Sequence, residues 1–132
     1  MAIQLSTTLR NGRADQVTSV TGSAALLRIY SGSAPADCIT AASGTKLVEH
    51  TLATPFAPGA SGGVLSPTLP SNVNALATAT AGYWRLYKAD GTTCTAQGSV
   101  GTSGADMNLN TLSIVSGGPV QVNSWTFTEG GA

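Results

Sequence analysis

The sequence predicts a single, mostly β domain over residues 1–132, a β-sandwich or jelly roll with one short N-terminal helix. A chain of 132 residues fits one domain. After Gly22 it consists of short apolar segments separated by Gly, Pro and Asp-Gly turn signals, the spacing typical of all-β folds. The net charge is zero and the apolar residues alternate, so we expect a folded rather than a disordered chain.

Residues 6–20 are predicted to form the helix. Ser6 is a suitable N-cap, and Thr21-Gly22 is a common way for a helix to end. A spacing of four residues places several side chains on one predicted face. These are Leu5, Leu9, Arg13 and Val17.

Alternating apolar residues predict the strands. The predicted segments are 25–30, 46–52, 64–65, 75–80, 83–88, 93–100, 107–115 and 120–128. Asp90-Gly91 predicts a hairpin turn. The alternation changes phase at Asn110-Thr111, which a β-bulge would explain, and again between Val122 and Trp125.

The aromatic segment 83–88 has two different faces. Trp84 and Leu86 share one face, which we expect to be core, whereas Tyr83 and Tyr87 share the other, which we expect to be surface or interface. A carbohydrate-stacking platform on the tyrosine face is the alternative interpretation.

A long connection, residues 53–74, contains four of the six prolines of the chain. Ordered loops of this length are usually functional or are held in place by a partner. Deleting residues 56–70 is therefore expected to abolish a partner contact while leaving a folded domain.

Charge excludes two classes of partner. Six basic residues balance six acidic ones, and charged residues make up only 9% of the chain. Such a chain offers neither the basic patch that nucleic-acid binding needs nor a polybasic membrane anchor. No apolar run approaches the roughly 20 residues that span a bilayer, and the N-terminus does not resemble a signal peptide. We expect no nucleic-acid partner and no membrane partner.

No catalytic, cofactor-binding or metal site is expected, and the chain is predicted not to be an enzyme. Residues 59–63 match the G-x-S-x-G pattern of a nucleophile elbow, but the strand and helix which that motif requires are missing around them. His50 is the only histidine, and it is expected on a strand at the surface or half-buried. A metal site needs a cluster of three or four ligands, which the sequence does not contain.

Cys38 and Cys94 match no zinc or redox motif. Two free, partly buried thiols are the preferred interpretation, because a chain without a signal peptide is expected in a reducing compartment. A disulfide between them is the alternative.

Several extended segments resemble a family of small virion proteins of tailed bacteriophages. These segments are 4–11, 27–38, 91–100, 106–110 and 120–128. The resemblance implies a capsid decoration (cementing) protein with a jelly-roll fold. Such a protein is made in the host cytoplasm and binds the outside of the capsid shell, where subunits of the major capsid protein meet. A homodimer at two-fold positions is one arrangement that the resemblance implies.

The helix and the 53–74 connection are the predicted regions of contact with the capsid. Arg10 and Arg13 lie one turn apart and could bind capsid carboxylates together, the alternative being two solvated helix charges. The predicted contact residues are Arg10, Arg13, Phe56, Val64, Leu65, Leu69, Tyr83 and Tyr87. The alternative function is another virion module, in a tail, fibre or adhesin, which recognises a host-surface glycan through the tyrosine face.

Overall fold

The structure is a computed structural model that describes residues 3–70 and 72–128. Within these residues the chain forms one helix and eleven strands. In chain order they are α1 (Thr7–Thr21), β1 (Leu26–Ser31), β2 (Lys46–Thr51), β3 (Val64–Leu65), β4 (Val73–Asn74), β5 (Ala79–Tyr87), β6 (Cys94–Gly101), β7 (Met107–Leu109), β8 (Ser113–Ile114), β9 (Pro119–Val120), β10 (Val122–Trp125) and β11 (Phe127–Thr128). The prediction of a mostly β chain with a short N-terminal helix is confirmed.

Helix α1 begins and ends close to the predicted positions. Oγ of Ser6 accepts a hydrogen bond from the backbone N–H of Leu9 at 3.2 Å, which satisfies a donor that the first helical turn leaves unpaired. At the other end Gly22 has a φ of 77°, and its N–H donates to the carbonyl of Thr18 at 3.0 Å. Glycine adopts this left-handed conformation without a steric cost, which explains the helix end.

The helix buries only part of the predicted face. Its buried residues are Ala14 and Thr21, and the half-buried Val17 packs against the core. Of the four residues predicted to share a face, Leu9 and Arg13 are exposed, whereas Leu5 and Val17 are half-buried. The face is divided in this way because polar contacts to a distant loop, rather than large apolar side chains, set the rotation of this helix.

Seven strands form one curled sheet in the order β10-β7-β6-β5-β1-β2, with β8 paired to the beginning of β5. Every pair in it is antiparallel except β6 with β7. Ile29 on β1 lies opposite Trp84 on one side and Val48 on the other, and such cross-strand pairs stabilise a sheet. Two short ladders, β3 with β11 and β4 with β9, lie outside this sheet. That the strands are arranged as a jelly roll stays a prediction.

The predicted phase changes correspond to breaks in the strands. The segment predicted at 107–115 is divided into β7 and β8, and the segment predicted at 120–128 is divided into β9, β10 and β11. The register of β10 against β7 shifts between Val122 and Ser124. The alternation of apolar residues therefore predicts these irregularities correctly.

Strand β5 is buried on both faces. Trp84 and Leu86 belong to the main apolar core, which extends from α1 to β10. On the opposite face Tyr30, Tyr83 and Tyr87 form a second cluster, in which the rings of Tyr30 and Tyr83 stack with their centroids 5.3 Å apart. Residues 32–45, which connect β1 and β2, contact this second cluster.

Candidate interaction surface

Helix α1 is fixed to residues 59–63 by three of its polar side chains, which meet the backbone of that loop. Such bonds between side chains and backbone satisfy loop groups that have no strand partner. The bonds are Arg10 Nη2 to the Gly62 carbonyl (2.9 Å), Gly63 N–H to Asn11 Oδ1 (2.8 Å) and Ala60 N–H to Asp15 Oδ1 (2.7 Å). The helix and the loop thus form one continuous surface, here called the helix–loop surface (residues 7–21 and 55–63).

Arg10 has an internal role in this surface. Its side chain is half-buried and lies against Gly63, where a Cβ atom would collide with the guanidinium. Gly63 also has a φ of 78°, a backbone conformation that calls for glycine there. The predicted pairing of Arg10 with Arg13 on capsid carboxylates stays a prediction, and one donor atom of Arg10, Nη2, already binds the Gly62 carbonyl. Arg13 is exposed.

The exposed side of α1 has an apolar residue near each end. Leu9 is 50% exposed and Val20 is 53% exposed. Arg13 and Gln16, both exposed, lie between them at spacings of three and four residues, so the four side chains follow one helical face. A single exposed apolar residue needs no explanation, but an apolar and polar stripe on one helix face suits contact with a partner.

A recess of about 210 Å³ adjoins the helix within the helix–loop surface. Its walls include Asp15 and Thr18 from α1 and Pro55, Pro58 and Gly59 from the loop. Oγ1 of Thr18 is buried and has no hydrogen-bond partner among the described residues. The recess therefore offers a partner a small pocket between the helix and the loop.

The structure divides the predicted contact residues of the 53–74 connection into two groups. Phe56 and Leu65 are fully buried in the main core, which corrects their assignment as capsid contacts. Val64 is half-buried, and Leu69 is 44% exposed. The expectation that residues 56–70 can be deleted without unfolding is also wrong, because the deletion would remove Phe56 and Leu65 from the core.

Tyr83 and Tyr87 are buried rather than exposed, which corrects their assignment as contact residues. Burial and a hydrogen bond with Tyr87 raise the pKa of Tyr30 to about 12. Beside these rings the buried Arg85 donates from Nη2 to the carbonyls of Asp37 and Thr40, at 3.0 and 2.7 Å. The tyrosine face is thus closed by the 32–45 loop, and it does not offer a sugar-stacking platform.

Cys38 and Cys94 are joined by a disulfide, with their Cα atoms 5.4 Å apart. Cys38 lies in the 32–45 loop and Cys94 begins β6. The preferred prediction of two free thiols is therefore corrected, and the alternative is the one that the structure contains. The bond adds a covalent link between the loop and the sheet.

The geometry of a nucleophile elbow is not present at Ser61. Its backbone N–H and carbonyl exchange hydrogen bonds with Val64, at 2.9 and 3.0 Å, so residues 61–64 form a tight turn rather than a strand-to-helix junction. His50 lies on β2 and is buried, more deeply than predicted. In the described part of the chain no group of three or more His, Cys, Asp or Glu side chains is placed to hold a metal ion.

Charged groups on β1 and β2 pair with each other. Nε of Arg28 donates to Oε2 of Glu49 at 2.6 Å, and Nζ of Lys46 donates to the same oxygen at 3.3 Å. Burial opposes ionisation of Glu49, but these two bonds outweigh it and lower its pKa. The Arg28 guanidinium also lies 4.6 Å from the centroid of the Tyr87 ring. These charges serve contacts within the sheet.

Comparison with known protein families, with curated proteins and with solved structures finds no match. Among residues 3–70 and 72–128, no helix is both long and apolar enough to cross a bilayer.

Proposed function

We propose that this chain is a capsid decoration protein, which binds the outer surface of a bacteriophage shell at junctions of the major capsid protein and stabilises it. The observation that carries the proposal is the helix–loop surface. The two regions predicted separately as capsid contacts, α1 and the 53–74 connection, meet there and are held together by Arg10, Asn11 and Asp15. The resemblance of the sequence to phage virion proteins supplies the identity of the partner.

The proposed contact is mainly apolar and shape-dependent. Leu9 and Val20 provide apolar area at the two ends of the exposed helix face, and the recess beside Thr18 can accept a protruding side chain of the capsid. A specific contact of this kind buries about 1,200–2,000 Å² in total. Since the net charge of the chain is zero, long-range attraction contributes little to binding.

Stabilisation follows from mass action. A protein that binds only the assembled shell lowers the free energy of that shell by about 2.7 kcal/mol per site when its free concentration is a hundred times the dissociation constant. The effect is repeated at every occupied site, so a modest affinity for each copy produces a large resistance of the particle to disruption.

Binding to bare shells tests the proposal. Purified protein is incubated with capsid shells that lack this protein and come from the phage that encodes it. Bound protein is measured after sedimentation. Leu9→Ser combined with Val20→Ser is expected to weaken binding at least about tenfold, since each loses the burial of an aliphatic side chain. The matched control is Leu76→Ser combined with Val115→Ser, because these residues are also exposed and apolar but do not belong to the helix–loop surface. Equal losses from both pairs would remove the helix–loop surface from the proposal, and no binding by the parent protein would overturn it.

A salt series gives a second test on the same shells. Binding is expected to change little between low and moderate ionic strength, because few charges are available to be screened. Release of the protein over that range would show that the contact is electrostatic and would contradict the proposed mechanism.

A further inference from the structure

A second cavity, of about 270 Å³, lies between α1 and the ends of several strands. Apolar side chains of the helix form one wall. The other walls include Trp84, Asp106, Thr126, Phe127 and Thr128, which combine an indole, a carboxylate, two hydroxyls and a phenyl ring. This cavity is separate from the recess beside Thr18, since the two share none of their lining residues.

Trp84 places an unpaired indole N–H next to the cavity. Its side chain is 2% exposed, and its Nε1 atom is buried without a hydrogen-bond partner among the described residues. Because Nε1 is itself buried, its N–H reports on changes in the cavity wall and is not counted as a contact of the ligand. Trp125 has a similarly unpaired Nε1 but does not line the cavity, which makes it an internal control.

Gly98 keeps the indole and the carboxylate close together. A Cβ atom at this position would lie 2.8 Å from Cε2 of Trp84, the carbon bonded to Nε1, and 2.8 Å from Oδ2 of Asp106. Cε2 of Trp84 and Oδ2 of Asp106 are therefore no farther apart than twice that distance, which places the indole and the carboxylate next to each other. Oδ2 accepts hydrogen bonds from the N–H and Oγ of Ser99, but a carboxylate has about four acceptor positions and so retains capacity.

The lining selects a class of ligand. Asp106 is the charged side chain of this lining, so an anion such as phosphate is disfavoured. The acceptor at Asp106 and the hydroxyls at Thr126 and Thr128 match a molecule with several neutral hydroxyl groups. The half-buried ring of Phe127 offers an apolar contact for carbon-bound hydrogens.

We propose that this cavity binds one neutral pyranose ring, with its hydroxyl groups on Asp106, Thr126 and Thr128 and its carbon-bound hydrogens against Phe127. The volume lies just below the roughly 300–1,000 Å³ of drug-sized pockets, which suits a single ring. This inference goes beyond capsid decoration and does not depend on it, because the cavity and the helix–loop surface are tested by different measurements.

The experiment follows the two indole N–H signals of the ¹⁵N-labelled full chain by NMR. The probes are glucose, galactose, mannose and N-acetylglucosamine, their methyl glycosides and inorganic phosphate, each titrated into the millimolar range. A saturable shift of the Trp84 signal with at least one neutral sugar, while the Trp125 signal stays in place, is expected. Binding of methyl glycosides would support recognition of a sugar within a glycan, and binding of free sugars alone would support recognition of a soluble monosaccharide.

Variants make the assignment specific. Thr126→Val combined with Thr128→Val is expected to weaken the sugar titration about tenfold, as for the loss of one or two neutral hydrogen bonds. Thr51→Val combined with Thr68→Val is the matched control, because both residues are exposed and neither lines the cavity. The proposal is overturned if no neutral sugar moves the Trp84 signal, if both indole signals move equally, or if phosphate alone moves the Trp84 signal. It is also overturned if the control pair weakens binding as much as the pair at Thr126 and Thr128.

Discussion

The hydroxyl group of Tyr83 makes two hydrogen bonds with the backbone of Ser43. It accepts from the Ser43 N–H at 2.9 Å and donates to the Ser43 carbonyl at 2.7 Å. Arg85, the next residue on the same face of β5, donates to carbonyls of the same 32–45 loop. Two alternate side chains of one strand therefore hold the loop over the tyrosine cluster, so the loop is part of the folded structure.

Replacing Tyr83 by Phe should show how much these bonds contribute. We expect Tyr83→Phe to lower the free energy of unfolding by about 1–2 kcal/mol, because two backbone groups of Ser43 lose a part-buried partner. Tyr30→Phe is the control, since the Tyr30 hydroxyl has a long contact of 3.4 Å with that of Tyr87. Urea unfolding measures both variants. Equal losses would mean that the Ser43 bonds add nothing beyond the general effect of removing a tyrosine hydroxyl.

The disulfide should also help to hold the 32–45 loop against the sheet. Cys38 and Cys94 are separated by 56 residues, and closing a loop of this size stabilises a protein by about 2–4 kcal/mol, mainly by restricting the unfolded chain. Reducing agent is therefore expected to lower the free energy of unfolding by that amount. The control is Cys38→Ser combined with Cys94→Ser, whose stability should not respond to reductant. Titration of two free thiols in the unfolded, unreduced protein would contradict the bond.

The features that the sequence predicts well are local. The turn at Asp90-Gly91 depends on side chains within three residues of each other, and it forms as predicted. The breaks near Asn110 and Val122 follow from a local change in alternation, and both are present. The alternation also predicts that Trp84 is core, because this needs only the pattern within one strand.

The features that the sequence does not predict depend on distant contacts. The rotation of α1 is set by bonds from Arg10, Asn11 and Asp15 to a loop 45–52 residues away. The burial of the tyrosines depends on a cover of small and polar residues, which has no apolar signal of its own. For the candidate surface, the pattern identifies both regions but not which side chains in them are exposed, because exposure is decided by how the two regions meet.

Two substitutions within one predicted loop should have very different effects on the free energy of unfolding. Phe56→Ala is expected to lower the free energy of unfolding by about 3–5 kcal/mol, because the ring is fully buried and packs on Trp125 with centroids 5.9 Å apart. Leu69→Ala should change it by less than about 1 kcal/mol, because that side chain is 44% exposed. Thermal or urea unfolding distinguishes them. Similar small effects at both positions would mean that the 53–74 connection is a free loop after all.

Acid should weaken the hairpin between β5 and β6. Hydrogen bonds from the backbone N–H and hydroxyl of Thr93, and then from the N–H of Thr92, lower the pKa of Asp90 from 3.8 to about 2. Because the folded state binds this proton less readily than the unfolded state, the contribution of Asp90 to stability is complete above about pH 4. It is lost as the pH falls towards 2.

The Asp90 carboxyl can be followed directly by ¹³C NMR during an acid titration. We expect its midpoint near pH 2 in the parent protein and a higher midpoint in Thr93→Val, which removes the hydroxyl donor but keeps the backbone N–H. Asp90→Asn should flatten the decline in unfolding free energy between pH 4 and pH 2, since the amide does not titrate. A midpoint near 4 in the parent protein would show that these hydrogen bonds do not favour the ionised carboxylate, and the turn would then contribute equally at both ends of this pH range.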